Sequence, residues 1–343
     1  MGLRFGVLGC VWLIVIVMGI TIGSVTVSLS DAYKVISGET VDAVVYTIVH
    51  DIRIPRTITA VVVGAAIGVS GLIMQTLFRN PLADPYVLGI SSGGSLGVAL
   101  VIMGSGALST AYGAEFTSSL GLSGQFAIVI ASAIGSGVVM ALVLGIGHII
   151  RSSAVLLLLG VMIGYFVSAF ISVLIAYAEP ALVAQFTRWG FGSYTGVTWD
   201  RIGILVGIIL VGLAIAFSLA KPLNALLLGE RYAQTMGIEM RTMRWALIAI
   251  TSILAGVSNA FCGPIAFIGI AVPHVTRGVM GSSDHRVLIP GCILGGGAMA
   301  LLADVIAQQP GTGVLPINAV NAAFGAPIVI VILLRWYRGM EDR

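Results

Sequence analysis

Few ionisable side chains lie where they could do chemistry inside this chain. Asp304 is the one carboxylate within the long apolar segments, near the end of one of them. An ionisable residue in such a segment is a functional candidate by default, although it can also pair or cap locally. Ion-coupled carriers use several such groups near the membrane midplane. We therefore expect Asp304 to be structural and not a proton carrier.

Histidines and cysteines are scattered along the chain and do not form a ligand pattern. No two histidines have the spacing of a metal site, and the cysteines form no close pair, so we predict neither a metal site nor a disulfide. His50 lies near Arg53 and Arg56 in the sequence. Contact between His50 and a haem or another anionic ligand stays open beside the simpler interpretation, a solvated loop histidine.

The chain also lacks a nucleotide-binding loop. Its only lysines are Lys34 and Lys221, and neither follows the glycine-rich pattern that holds phosphates. We therefore predict no catalytic residues and no cofactor. If the protein works with ATP, the nucleotide must bind to a separate ATPase chain.

The composition is that of a membrane protein. Of the 343 residues, 58% are hydrophobic and 9% are charged, and the mean hydropathy is +1.08. Soluble domains carry about 25% charged residues. This excludes a soluble enzyme, a nucleic-acid-binding module and a disordered chain. Continuous apolar runs of helix length predict an all-α integral membrane protein, residues 1–343, with a single transmembrane domain of about ten helices.

Ten apolar segments can be separated, and their flanking charges orient them. The predicted spans are 6–28, 57–77, 88–104, 123–148, 154–177, 202–220, 243–262, 265–280, 287–308 and 315–334. With both termini in the cytoplasm, 12 of the 17 basic residues lie inside and 5 lie outside. The opposite topology would place the 12 outside, against the positive-inside rule. The sequence therefore predicts cytoplasmic N- and C-termini.

The longest predicted cytoplasmic segment, about 221–240, has the pattern of two short helices. Leu223, Leu226 and Leu227 have helical spacing before Gly229, and a second short apolar face begins at Ala233. Such helices lie on lipid or dock into a groove of a partner protein. The residues alone leave these two alternatives open.

Several longer motifs resemble one family of transport proteins. Asn80-Pro-Leu-Ala-Asp-Pro-Tyr-Val-Leu-Gly89 and Arg53-Ile-Pro-Arg56 are similar to segments of the FecCD-type permeases, the membrane subunits of ferric-siderophore, haem and cobalamin ABC importers. Further similarities occur, in order, at Leu228-Gly-Glu230, Phe267-Ile-Gly269, Asp284-His-Arg286, Leu315-Pro-Ile317 and Gly325-Ala-Pro327. The resemblance runs from about residue 50 to the end.

This resemblance implies a type II ABC importer permease fold and three kinds of partner. The partners are a second permease copy (a homodimer, or a heterodimer with a close relative), two cytoplasmic ABC ATPase subunits and an extracytoplasmic substrate-binding protein. Arg53 and Arg56 would dock the binding protein. The segment that couples to the ATPase would include Leu223, Leu226, Leu227, Gly229, Glu230, Arg231, Ala233, Met236 and Gly237, which favours a partner over lipid. Residues at the gate or pathway would be Asn80, Leu82, Ser152 and Ser153.

Two positions depart from the family pattern. Gln308 stands where an arginine is common, four residues after the aspartate, and Val314 stands where a glutamate is common. The usual third docking arginine is therefore in doubt. Arg188 could compensate for it or face an anionic substrate along the pathway.

The expected function is that of the membrane subunit of an ATP-driven importer, working by alternating access in a bacterial or archaeal cytoplasmic membrane. The cargo would be an iron chelate, either siderophore or haem, or else cobalamin. The alternative is an ion-coupled secondary transporter. The scarcity of intramembrane charges argues against that alternative.

Overall fold

A computed structural model describes residues 2–23, 25–108, 124–147, 153–308 and 313–341 of the chain. These residues form fifteen α-helices and, within the described ranges, no β-strand. Ten helices correspond to the ten predicted spans: α1 Gly2–Thr21, α4 Ile54–Phe78, α5 Ile90–Leu108, α6 Gly124–Gly147, α7 Ser153–Tyr177, α9 Trp199–Ser218, α12 Met240–Cys262, α13 Ile268–Met280, α14 His285–Ala307 and α15 Ile317–Glu341.

The other helices are short and lie between the spans. They are α2 Leu29–Ser37, α3 Ala43–Tyr46, α8 Pro180–Gly190, α10 Ala220–Leu227 and α11 Glu230–Thr235. A π-helix, Thr47–Arg53, leads into α4, and a 3₁₀ turn, Pro85–Leu88, precedes α5. Among the described helices, seven are long and apolar enough to cross a membrane, and the apolar parts of α5 and α15 are shorter. The 13-residue α13 is shorter still and contains Pro273.

Helix α4 lies at the centre of the bundle and is almost entirely buried. It packs most extensively against α14, and also against α12, α13 and α9. Glycines make these crossings close: a Cβ atom at Gly64 would lie 2.2 Å from the carbonyl oxygen of Gly296, and one at Gly71 would lie 1.8 Å from that of Gly269. Small residues at contacts let helix backbones approach in lipid, where dispersion and packing replace the hydrophobic effect.

The outer helices expose their apolar side chains. Only 11% of the apolar window of α1 and 17% of that of α7 is buried, against 83% for the window that includes α4. Tyr165, Phe166, Phe170 and Tyr177 are exposed along α7. Lipid, or a second membrane subunit, must cover such surfaces.

Candidate docking, gate and coupling sites

The two arginines before the second span are turned inward. Arg53 is 5% exposed, and its guanidinium donates hydrogen bonds to the carbonyl oxygens of Ile20 (2.9 Å), Thr21 (2.7 Å) and Val25. These carbonyls belong to the end of α1 and the chain after it, where the helix leaves carbonyls without internal partners. Arg53 therefore caps α1.

Arg56 forms a bidentate ion pair across the bundle. Its Nε and Nη2 atoms each lie 2.7 Å from an oxygen of Asp304, whose side chain is 1% exposed. Gln308 Nε2 donates to the same carboxylate at 3.0 Å. The planar guanidinium matches a carboxylate in this geometry, so the pair fastens the start of α4 to the end of α14.

Docking of a binding protein to Arg53 and Arg56 would need accessible side chains, and neither arginine is exposed in this structure. Arg53 is buried, and only 11% of the Arg56 side chain is accessible. The π-helix just before α4 places both guanidinium groups against neighbouring helices. Their docking role stays a prediction. Arg188, by contrast, is exposed in the last turn of α8 and forms no ion pair within the described residues.

His50 occupies a small aromatic stack on the predicted outer side. Its ring lies 4.8 Å from that of Tyr46 and 5.3 Å from that of Trp199, and Nδ1 is 2.7 Å from Asp51 Oδ1. The indole of Trp199 donates to the His50 carbonyl at 2.9 Å. Contact with an anionic ligand here stays an open alternative, and the neighbouring Asp51 carboxylate does not favour it.

The loop between α4 and α5 contains the predicted gate residues Asn80 and Leu82. Arg79 ends α4 in a left-handed conformation (φ 49°), which turns the chain into the loop. Asn80 Oδ1 then accepts a hydrogen bond from the Leu82 N–H at 3.0 Å, and His274 Nε2 lies 2.9 Å from the Pro81 carbonyl. The loop is thus a structured turn held against α13. Ser152 lies outside the described residues, and Ser153 begins α7.

Burial changes the ionisation of Asp84 in the same loop. Its Oδ1 accepts the Tyr86 N–H at 2.8 Å, and removal from water raises the pKa of the carboxyl to about 6. A buried carboxyl group with so few donors keeps its proton to a higher pH than one in water.

The segment predicted to be cytoplasmic forms the two short helices expected, α10 and α11. Gly229 joins them with φ 119° and Gly237 follows α11 with φ 82°, conformations that L-residues with side chains rarely adopt. Glu230 in the first turn of α11 pairs with Arg244 of α12 at 3.1 Å. Arg231 is exposed.

The two helices bury a different face from the one the sequence suggested. Leu223, Leu226 and Ala233 lie in the chain's own core, so they are not free to enter a groove on a partner. Their part in coupling to the ATPase stays a prediction, and it does not include a free apolar surface formed by these three side chains. The exposed apolar side chains, which we call the cytoplasmic apolar edge, are Leu227, Leu228, Tyr232 and Met236.

Comparison with known proteins places the chain in a family. A profile of the FecCD transport family matches residues 11–335, and the chain belongs to this family of ABC importer permease subunits. It is 37% identical over 289 residues to the vitamin B12 import system permease protein BtuC of Shigella flexneri, covering 84% of this chain and 83% of that protein. BtuC from an Escherichia coli strain shows the same identity and coverage.

Solved structures agree with the type II importer fold. A structure described as an inward-facing conformation of a metal-chelate type ABC transporter superposes with a TM-score of 0.82 at 27% identity, covering 97% of this chain and 99% of that one. PsaBC from Streptococcus pneumoniae, at 17% identity and a TM-score of 0.53, shares the fold. The chain is therefore a multi-pass permease subunit and not itself an enzyme. Between the two transporter classes considered from the sequence, the ABC importer is the one supported.

The partners of Arg53 and Arg56 could not be predicted from the sequence. The Asp304–Gln308 spacing does place both side chains on one helix face. Nothing local identifies Arg56, 248 residues away, as the third member.

Proposed function

We propose that this permease forms the membrane pathway of an ATP-driven importer for a metal chelate, as one half of a dimer. Siderophore, haem and cobalamin complexes are the candidate cargoes. The observation that carries the proposal is the pair of short helices α10 and α11, which are anchored in the core on one face and expose an apolar edge on the other. An exposed apolar edge on a cytoplasmic loop suits a groove on an ATPase.

The cargo class rests on the relatives. The Shigella flexneri relative is named for vitamin B12 import, and the solved structure for a metal-chelate transporter. A pathway for a bulky chelate needs little fixed charge, in agreement with the 9% charged residues of this chain. The exposed aromatic residues of α7 offer flat apolar surface for a macrocycle or a catecholate in a pathway between two copies.

Two further partners and a mechanism complete the proposal. An extracytoplasmic binding protein delivers the chelate, and ATP-driven closure of the two ATPases moves the cytoplasmic helices and changes which end of the pathway is open. Docking through Arg53 and Arg56 requires those arginines to share or exchange their present partners. Arg188 is accessible without rearrangement, so we add it to the docking surface.

Loss of the ATPase from the purified complex tests the proposal. Leu227→Asp with Leu228→Asp places charges on the cytoplasmic apolar edge, and burying unpaired charge costs several kcal/mol. We expect the ATPase to be lost during purification and ATP-dependent uptake to cease. The matched control is Leu29→Asp, because Leu29 is 66% exposed on the predicted outer side and Leu228 is 65% exposed. Retention of the ATPase by the double variant would refute the coupling role.

Uptake measurements separate the two transporter classes. Proteoliposomes loaded with ATP should accumulate labelled cyanocobalamin or a ferric siderophore in the presence of a proton ionophore. Abolition of uptake by the ionophore would favour ion coupling.

A further inference from the structure

A chain of hydrogen bonds connects the cytoplasmic helix α10 to the end of the central helix α4. Asn224 of α10 donates from Nδ2 to Asp284 Oδ1 at 2.6 Å. Its Oδ1 lies 2.8 Å from the backbone nitrogen and from Nδ1 of His285. On the other side of the His285 ring, Nε2 is 2.8 Å from Thr76 Oγ1.

The geometry of these hydrogen bonds determines which group is the donor and which is the acceptor in each. Asn224 cannot be flipped, because its NH₂ group would then face the His285 N–H and its oxygen would face the Asp284 carboxylate. His285 Nδ1 must therefore donate to Asn224 Oδ1. The hydrogen bond that Asn224 Nδ2 donates to Asp284 lowers the pKa of that carboxyl. Asp284 is also the N-cap of α14, and its Oδ1 accepts the Arg286 N–H at 2.9 Å.

The Thr76 hydroxyl has one proton and two possible acceptors. The Leu72 carbonyl lies 2.9 Å from Oγ1, and the neutral imidazole presents Nε2 at 2.8 Å. Donation to His285 ties α4 to α14 and α10, whereas donation to Leu72 keeps the bond within α4. The buried site thus has two hydrogen-bonded arrangements, and separation of His285 from Thr76 favours the second.

The predicted gate begins one turn beyond Thr76. The Arg79 N–H donates to the Thr76 carbonyl at 3.4 Å, and the Asn80 N–H donates to the Gln75 carbonyl at 3.2 Å. A displacement of the last turn of α4 therefore moves Asn80 and the loop that follows it. Thr76 and His285 are both buried, so a lost hydrogen bond leaves an unsatisfied group there at a cost in free energy.

We propose that Asn224, His285 and Thr76 are positioning residues that transmit movement of the cytoplasmic helices to the gate loop. This inference rests on the proposed function, since it needs an ATPase that moves α10. Movement of α10 would pull Asn224 and His285 away from Thr76, and the released Thr76 hydroxyl would donate its hydrogen bond to the Leu72 carbonyl instead. The last turn of α4 and the gate loop would then shift together.

Thiol labelling of the gate loop in the permease–ATPase complex tests this role without an identified cargo. Leu82→Cys is introduced with Cys10→Ser, because Cys10 is exposed whereas Cys262 and Cys292 are buried. The labelling rate by a polar maleimide is measured in lipid nanodiscs with and without ATP and vanadate. We expect the rates with and without ATP and vanadate to differ in the parent protein. In Thr76→Val the two rates should become equal, so that their ratio is one.

Matched variants separate transmission from simple loss of a hydroxyl. Thr59→Val removes a buried threonine hydroxyl from the same helix, where it bonds the Pro55 carbonyl at 2.7 Å. Thr59→Val should keep the parent ratio, Thr76→Ser should restore it, and adding Asn224→Ala to Thr76→Val should cause no further loss. A Thr76→Val complex that keeps its ATPase and the parent ratio would overturn the inference.

Failure of the proposed function gives a different result. In that case the parent complex itself would fail to retain the ATPase or would label at the same rate with and without ATP. There would then be no movement for these residues to transmit, and both proposals would fall.

Discussion

At the scale of single residues, the best-defined interaction is the ion pair between Arg56 and Asp304. Removing one partner of a buried pair leaves a charge without compensation, whereas replacing both partners with apolar groups is often tolerated. Asp304 makes this pair on the predicted outer side of the bundle, with Gln308 as its other partner. The geometry supports the structural role expected from the sequence.

We predict that Asp304→Leu lowers the free energy of unfolding by about 3–5 kcal/mol and that Arg56→Met in the same chain recovers most of the loss. Thermal unfolding of the two single variants and the double variant in one detergent measures the coupling. Additive losses in the double variant would contradict the prediction.

Two asparagines on α15 differ in how many hydrogen bonds their side chains make. Asn318 accepts the Ala266 N–H at 2.9 Å and donates to the carbonyls of Pro264 (2.7 Å) and Gly190 (3.3 Å). Asn321, one turn later, is fully buried, and neither its amide nitrogen nor its amide oxygen has a partner among the described residues.

We therefore predict opposite effects of the same substitution on the isolated permease. Asn321→Leu should raise the free energy of unfolding by about 1–2 kcal/mol, because a buried amide without partners is costly. Asn318→Leu should lower it by about 3 kcal/mol, because three partners lose their bonds. Differential scanning fluorimetry in detergent compares the two variants. A destabilised Asn321→Leu would mean that the amide is satisfied in the protein.

At the scale of elements, the loop between α4 and α5 has a pH-dependent stability. The pKa of Asp84 is raised from 3.8 to about 6, so between these values the folded protein binds a proton that the unfolded chain releases. Stability from this group is present at low pH and declines as the pH rises through that window, by up to about 3 kcal/mol.

Asp84→Asn should remove this decline, since an amide does not titrate. Unfolding temperatures of the parent and the variant, measured from about pH 4 to pH 7, give the difference as a function of pH. Parallel curves for the two proteins would show that Asp84 keeps an ordinary pKa.

The sequence predicted the elements well and their contacts poorly. The apolar segments are visible because crossing about 30 Å of hydrocarbon takes about 20 apolar residues. A helix occurs at each of the ten predicted positions, although seven of the described helices have the full length and α13 has only 13 residues. Leu226, however, has the spacing of an amphipathic face whichever partner that face has, so its burial in the chain's own core could not be read from the pattern. The same holds for Thr76 and His285, which lie 209 residues apart.

At the scale of the whole molecule, the distribution of basic residues predicts which side each loop faces. Ser37→Cys at the end of α2 should react with a membrane-impermeant maleimide in intact cells. Thr235→Cys at the end of α11 should react only after the membrane is opened, because 12 basic residues on that side oppose its export. Reaction of Thr235→Cys in intact cells would show that the predicted topology is the wrong way round.

The central helix places a constraint on the synthesis of this protein. Arg56 enters the membrane with the second span, but Asp304 follows 248 residues later. At ordinary translation speeds the guanidinium waits roughly 12–50 s for its counter-ion. Until then the nascent chain carries an unpaired charge, and the central helix lacks α14, the helix against which it packs most extensively. A ribosome that stalls before the ninth span would therefore leave a membrane fragment in which Arg56 lacks its counter-ion.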